Sequence, residues 1–314
     1  MPNSAVKKIP ITAETLGKGD FHVVARAISA IENSSAGAEE LLKSLPNKQI
    51  PIIGITGPPG AGKSTLADAL IKKFTEAGKK LAVLCIDPSS SFHSGALLGD
   101  RIRMNRWYKD PNIYIRSLAS RGVMGGLNPR IFQITDLLSN AGFDYIMIET
   151  VGVGQTEIEI TRLADQVILV LVPESGDDIQ TLKSGIMEVG DIYVVNKSDR
   201  PGAQQFLASL KSSVHFQTLK GKEEKQFFQT IASEEKGVNE LYEAILKNIN
   251  ALSPHRAVQM LFQKVWQFMV EYRMRGINPD DLRNELETEM TKKEFNLYRF
   301  SESYAREHLP DTGF

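Results

Sequence analysis

The spacing of hydrophobic positions changes twice along the chain. Over 22–32, Val23, Val24, Ala27, Ile28 and Ile31 recur at steps of three and four, which predicts an amphipathic helix. A break at 34–37 precedes a second short helix over 38–45, which Pro46 and Asn47 end. From residue 49 short apolar runs alternate with amphipathic stretches. The expected strands cover 50–55, 81–86, 113–115, 145–148, 166–172, 192–195 and 229–232. Several are apolar throughout, as strands covered on both faces are. This alternation predicts an α/β fold with a mostly parallel, doubly wound sheet. From Ser253 the helical period returns. Val258, Leu261, Val265, Phe268 and Tyr272 form a short a/d-like seam. The seam reads equally as packing within its own domain or as a dimer contact. Gly276 and Pro279 break that helix, and 280–299 is expected as one charged surface helix. Three regions follow: a helical extension over 1–48, an α/β domain over 49–252 and a helical arm over 253–314.

Composition narrows the function. Lys and Arg total 37 against 38 Asp and Glu, so the formal charge is -1 and no global field exists to hold a polyanion. Nucleic acid and acidic membrane surfaces are therefore disfavoured as partners. The longest aliphatic run, 167–172, is far short of the roughly 20 residues that span a bilayer. The first dozen residues have no apolar core of a signal peptide, so a cytoplasmic location is expected. The single Cys85 sits in an apolar run and reads as a buried structural residue, and the five histidines lack zinc-type spacing.

The chemistry concentrates after the first strand. Gly57, Pro58, Pro59, Gly60, Ala61, Gly62, Lys63 and Ser64 match the phosphate loop G-x-x-x-x-G-K-[ST] at every fixed position. Glycines there let backbone N–H groups turn toward a phosphate. Lys63 is expected to reach the β- and γ-phosphates, Ser64 to ligate Mg²⁺, and Thr65 to join the nucleotide contacts at the helix start. This loop suits a small-molecule kinase as well as a GTPase. Asn196, Lys197, Ser198 and Asp199 follow an apolar strand as an N-K-x-D guanine motif does. The Asp199 carboxylate can accept from guanine N1–H and N2–H₂, a donor pair that adenine lacks. Lys197 is expected along the base plane and Asn196 to tie this loop to the phosphate loop. Ala232 and Ser233 follow the last strand, where a backbone N–H meets guanine O6.

Two acids close apolar strands, Asp87 and Glu149, in the Walker B arrangement that holds Mg²⁺ directly or through water. Glu149, Thr150, Val151 and Gly152 resemble a D-x-x-G switch with Glu for Asp, in which the Gly152 amide senses the γ-phosphate. Gln155 reads either as a water-positioning residue or as a polar switch residue facing solvent or a partner. Asp100 offers a third oxygen donor on a Gly-containing segment. Lys183 reads as part of a charge clamp or as a helix-surface lysine.

Taken together, Gly57 to Ser64, Asp87-Pro88-Ser89-Ser90, Leu98-Gly99-Asp100-Arg101, the run from Glu149 to Glu157 and Asn196 to Asp199 closely resemble the MeaB/ArgK-type GTPases. The resemblance spans about residues 15–275. It implies a P-loop GTPase with helical extensions at both ends, typically a homodimer. It implies a chaperone for an adenosylcobalamin-dependent acyl-CoA mutase, chiefly methylmalonyl-CoA mutase, that gates cofactor loading and protects the mutase. It also assigns Lys63 to the phosphates, Ser64, Asp87, Asp100 and Glu149 to the metal shell, Gly152 to Gln155 to a second switch, and Lys183 to a third. A slow basal rate is expected, because no convincing arginine finger is present in the chain. Two stretches depart from the family pattern: Arg116 to Gly126 and the tail after Asn284. The chain has no D-x-H-x-x-G cobalamin motif, so the partner would hold the corrin. The alternative is a P-loop small-molecule kinase or a metallochaperone GTPase.

Overall fold

The computed structural model describes residues 10–87, 104–119, 127–150, 159–176, 189–218, 225–250, 254–292 and 294–309. The chain divides into two compact units, Met1–Leu252 and Ser253–Phe314. The first unit is built on a seven-stranded sheet in the order β3-β2-β4-β1-β5-β6-β7. Its strands are β1 (Ile52–Thr56), β2 (Leu81–Asp87), β3 (Ile113–Ala119), β4 (Tyr145–Glu149), β5 (Gln166–Leu171), β6 (Ile192–Asn196) and β7 (Gln226–Thr230). Every neighbouring pair is parallel. Around it lie α1 (Ala13–Gly17), α2 (Phe21–Glu32), α3 (Ala38–Ser44), α4 (Lys63–Glu76), α5 (Ile131–Ser139), α6 (Ala203–Thr218) and α7 (Val238–Asn250).

Strand alternation sends side chains to both faces, and helices cover both. On β5, Ile168 and Val170 join the core under α4 and α7, with Leu66, Leu70, Phe74, Leu241 and Ile245. The intervening Leu169 and Leu171 join Tyr193, Val195, Phe206 and Leu210 under α6. Complete burial of each such side chain stabilises by about 1.5–3 kcal/mol. This two-sided coverage explains why the strands read as unbroken apolar runs.

Central strand β1 pairs with β4 on one side and β5 on the other, so the order of strands reverses beside it. The crevice beyond the C-terminal ends of strands at such a reversal is where open α/β sheets bind ligands. Acids divide by sheet end. At the N-terminal end Asp165, Asp144 and Asp191 accept from the N–H groups of Ile52 at 2.7 Å, Lys80 at 2.8 Å and Val167 at 2.9 Å. These carboxylates satisfy amides near strand starts. At the other end stand Asp87 and Glu149, the last residues of β2 and β4.

Helix α2 carries the predicted stripe, with Val23, Val24, Ala27, Ile28 and Ile31 all buried. Asp20 caps it, its side chain accepting from His22 N–H at 2.8 Å. Arg116 of β3 donates to Glu32 at 2.5 Å and to Ser29 at 3.0 Å, fastening this helix to the edge strand. Strand β3 runs to Ala119 instead of stopping at residue 115, because Leu84 to Asp87 of β2 continue the parallel pairing through Arg116 to Ala119, and the helix supplies Arg116 with its counter-charge. Strand β7 occupies 226–230 and not 229–232, because Ala232–Glu234 winds into a short 3₁₀ turn.

The second unit holds α8 (Pro254–Met274), α9 (Pro279–Met290) and α10 (Leu297–His308). The single helix expected over 280–299 is therefore two. The first ends at Met290, and Asn296 starts the second, its side chain accepting from the Arg299 N–H at 3.0 Å. On α8, Val258, Leu261, Val265 and Tyr272 of the predicted seam are exposed, and so are Phe262, Trp266 and Met269. No helix among the described residues is long and apolar enough to cross a membrane.

Candidate nucleotide site

The phosphate loop leaves the end of β1 and enters α4. Gly57, Gly60 and Gly62 all take positive φ, at 139°, 78° and 87°. Two of these positions admit no side chain. A Cβ on Gly57 would lie 2.0 Å from the Val170 carbonyl oxygen, and one on Gly62 would lie 2.4 Å from Asn196 Nδ2. The loop is thus pressed against β5 on one side and the β6 end on the other. Lys63, the first residue of α4, is buried, and its ammonium donates to the carbonyls of Gly57 at 2.8 Å and Pro58 at 3.0 Å. This places a desolvated cation at the loop mouth, beside the N-terminal end of a 14-residue helix. Ala61 is buried, Pro59, Gly60 and Thr65 are exposed, and Pro58 is half-buried.

Ser64 follows on α4. Its hydroxyl donates to Glu149 Oε1 at 2.6 Å, joining the helix start to the end of β4. Glu149 is buried and lies beside Cys85 in the register of β2. Asp87 lies two residues further along β2, opposite Ala119 of β3. Next to Glu149, the Thr150 hydroxyl meets the Thr56 hydroxyl at 2.8 Å, so the ends of β1 and β4 are tied directly beneath the loop.

The guanine motif is physically continuous with the phosphate loop. Asn196, buried at the end of β6, donates through Nδ2 to the Ala61 carbonyl at 2.9 Å. Its Oδ1 accepts from the Thr230 hydroxyl at 3.0 Å and the Ala232 N–H at 3.1 Å. One amide side chain therefore joins three loops. Lys197 adopts φ of 54°, in the left-handed region, and its ammonium donates to the Gly60 carbonyl at 2.8 Å. A β-unbranched polar residue tolerates that backbone at a cost of about 1–2 kcal/mol, offset here by the tether. Asp199 is exposed on the turn that follows. It helps hold the Lys236 ammonium above its ordinary pKa, behind the larger effect of the Glu234 carboxylate that Lys236 hydrogen-bonds. Asp199 is thus within electrostatic reach of Lys236, on the segment that follows Ala232 and the exposed Ser233.

Sequence reasoning missed the supports of this arrangement. Thr56 and Thr230 carry no sequence signal beyond a polar residue at a strand end, and Thr150 entered only as an unspecified position of the switch-like motif. Lys72 donates to both oxygens of Glu235 at 2.6 and 2.8 Å, clamping the turn after Ala232 onto α4. These partners lie 163 residues apart, and no local signal links them. Arg106 and Trp107 both donate to Asp68 of α4, at 2.6 and 2.7 Å. Of the remaining expected site residues, Asp100, Gly152, Gln155 and Lys183 lie outside the described residues, as does the side chain of Asp87.

The family model described as Methylmalonyl Co-A mutase-associated GTPase MeaB matches residues 24–287. A protein of Pyrococcus horikoshii that carries a GTPase name is 45% identical over 237 residues, covering 74% of this chain and 75% of that protein. GTPase ArgK of Escherichia coli is 33% identical over 259 residues, covering 79% of this chain and 78% of its own. The mouse protein named methylmalonic aciduria type A homolog, mitochondrial, is 38% identical over 200 residues, 59% of this chain and 48% of its own. Among solved structures, one titled LAO/AO transport system kinase superposes with a TM-score of 0.63 at 22% identity, over 94% of this chain and 95% of that one. That likeness speaks for the fold.

Proposed function

The chain belongs to the MeaB family and is a GTPase; on that premise we propose that it is a Mg²⁺-dependent chaperone of an adenosylcobalamin-dependent acyl-CoA mutase. In this reading it acts in the cytoplasm as a homodimer, hydrolyses GTP slowly when alone, and uses its switches to gate cofactor loading and protect the mutase. The observation that carries the nucleotide part is the Asn196 junction, which holds the phosphate loop, the base motif and the turn after β7 in one register.

The residues divide the work. Gly57 to Ser64 surround the phosphates with backbone N–H groups, and Lys63 supplies a cation whose loop carbonyls a phosphate oxygen would replace. Asp199 accepts from the guanine edge, Lys197 lies along the base, and the Ala232 segment meets O6. For the metal, Ser64 Oγ and Glu149 Oε1 converge at 2.6 Å as two hard oxygens, a donor set that suits Mg²⁺. Ser64 and Glu149, with Asp87 and Asp100, would hold the ion, which when bound neutralises charge on the β- and γ-phosphates. The Gly152 amide, Gln155 and Lys183 belong to switch segments that respond to the γ-phosphate, with Gln155 the water-positioning candidate. The exposed apolar residues of α8 support the dimer.

The mutase reading rests on the family description and on the name of the mouse relative. It is tested by co-purifying the chain with candidate acyl-CoA mutases in a non-hydrolysable GTP analogue and measuring GTP turnover with and without each. Stable association and accelerated turnover are expected. Turnover of tens per second by the isolated chain, unchanged by every mutase, would sink the chaperone reading. Lys63→Ala should abolish GTP binding, and Asp199→Asn should shift preference from guanine toward xanthine nucleotides. Unaltered binding by either variant would overturn the site.

A further inference from the structure

Among the described residues three that are not glycine adopt positive φ: Ser34, Lys197 and Glu235. Two of them, Lys197 and Glu235, flank the base motif, and the side chain of each is tied to the phosphate loop or its helix. Lys197 donates to the Gly60 carbonyl at 2.8 Å. Glu235, at φ of 57°, accepts from the Lys72 ammonium on both carboxylate oxygens, at 2.6 and 2.8 Å. Left-handed backbone is unfavourable for a residue with a Cβ and persists where the surroundings hold it, most often at ligand sites. Lys72 lies on α4, about two turns beyond Ser64. One helix therefore carries the phosphate lysine at its start and grips the base turn further along.

That turn closes on itself, the Ile231 N–H donating to the Lys236 carbonyl at 3.1 Å. Beyond it Gly237 lies so close to β7 that a Cβ would sit 2.1 Å from the Gln229 carbonyl oxygen. Most amides of the turn are committed. Ala232 donates to Asn196 Oδ1 at 3.1 Å, Glu234 to the Ile231 carbonyl at 2.9 Å and Glu235 to the Ala232 carbonyl at 3.3 Å. The N–H of the exposed Ser233 has no partner among the described residues. On the guanine reading, on which this inference rests, Ser233 is the amide left for O6. Its placement depends on the turn that Glu235 closes.

We propose that Lys72 is a positioning residue for guanine recognition: by holding Glu235 it fixes the Ser233 N–H toward O6, so the helix that binds the phosphates also sets base selectivity. Both side chains of the pair are partly exposed, at 37% and 36%, so the grip is open to screening by salt.

The test measures binding of GDP and 6-thio-GDP to the full chain. The thio analogue keeps the N1–H and N2–H₂ that Asp199 would accept, but presents sulfur, a weak acceptor, in place of O6. The wild type should bind GDP about fivefold more tightly than the analogue, the effect of one hydrogen bond. Lys72→Met should weaken GDP about threefold and leave the analogue nearly unchanged, bringing the ratio below about twofold. Lys72→Arg should keep the wild-type ratio, since a guanidinium also pairs with both carboxylate oxygens. Raising KCl from ~0.05 to ~1 M should shrink the wild-type ratio toward that of Lys72→Met and leave the variant's ratio in place. An unchanged ratio in Lys72→Met, an equal loss for both nucleotides, or a wild-type ratio near one would each overturn the inference and leave the guanine reading standing. Equal binding of ADP and GDP by the wild type would overturn the guanine reading and this inference with it.

Discussion

Replacing Asn196 with alanine tests whether the nucleotide site is one assembly or three neighbouring loops. The substitution removes three hydrogen bonds at once: to the Ala61 carbonyl at 2.9 Å, from the Thr230 hydroxyl at 3.0 Å and from the Ala232 N–H at 3.1 Å. Asn196 is 2% exposed, so water does not readily replace them. At about 0.5–1.5 kcal/mol net for each bond, and more where a buried group is left alone, the loss is about 2–4 kcal/mol. With a urea dependence of about 3 kcal/mol/M for a unit of this size, the midpoint should fall by about 0.7–1.3 M. The assay follows Trp107 fluorescence in a Trp266→Phe background, because Trp107 lies in the sheet unit and the exposed Trp266 in the other. Thr230→Val should couple to Asn196→Ala by about 1 kcal/mol in a double-mutant cycle, since one bond is shared. GDP affinity should fall about tenfold in parallel, because base and phosphate contacts lose their common reference. A midpoint shift below about 0.2 M with unchanged GDP affinity would refute the idea of a single assembly.

The glycines supply a paired comparison. Gly62→Ala puts a Cβ 2.4 Å from Asn196 Nδ2 and should destabilise well beyond Gly60→Ala, where nothing lies within 4 Å and only the backbone cost of about 1–2 kcal/mol applies; thermal melts of the two variants check the order. Ser64→Ala should leave GDP binding in EDTA nearly unchanged while removing the gain from added Mg²⁺, measured by fluorescent-nucleotide titration. Arg116→Ala should cost about 2–3 kcal/mol in urea melts, with little change between low and high salt, because the pair with Glu32 is largely buried. Glu159 is held above the ordinary glutamate pKa, chiefly by burial, against a hydrogen bond from Leu127 N–H and the charge of Arg162. A carboxyl raised in the folded state disfavours folding once it is ionised. Glu159→Gln should therefore stabilise at neutral pH, with the advantage shrinking as pH falls through the raised pKa and vanishing below the unfolded value near 4.5.

Local chemistry explains what the sequence made legible. Apolar runs such as that of β5 announce strands because both faces are covered. The phosphate loop is legible because backbone geometry dictates its glycines and two reacting groups follow directly. Even the Asn196 tether was readable, since N-K-x-D carries a fixed mechanical role. Features that depend on remote partners escaped. The strand expected over 113–115 continues through Arg116, whose counter-charge Glu32 lies 84 residues earlier. Asn296 looked like one more polar residue on a charged helix, and only its bond to the Arg299 N–H marks a new start. The Lys72–Glu235 clamp has no signature at either end.

The placement of β1 at the centre of a parallel sheet governs how the chain must be made. Its contacts wait for partners far downstream: Thr56 meets Thr150 across 94 residues, Ile52 meets Asp165 across 113, and Ala61 meets Asn196 across 135. On a ribosome, the phosphate loop is synthesised early and assembled late. Until the residues around 196–232 emerge, β1 lacks much of its setting and the guanine motif does not yet exist. GTP then binds only after the strands that complete the sheet have emerged, so it can stabilise the finished sheet unit but cannot template its beginning.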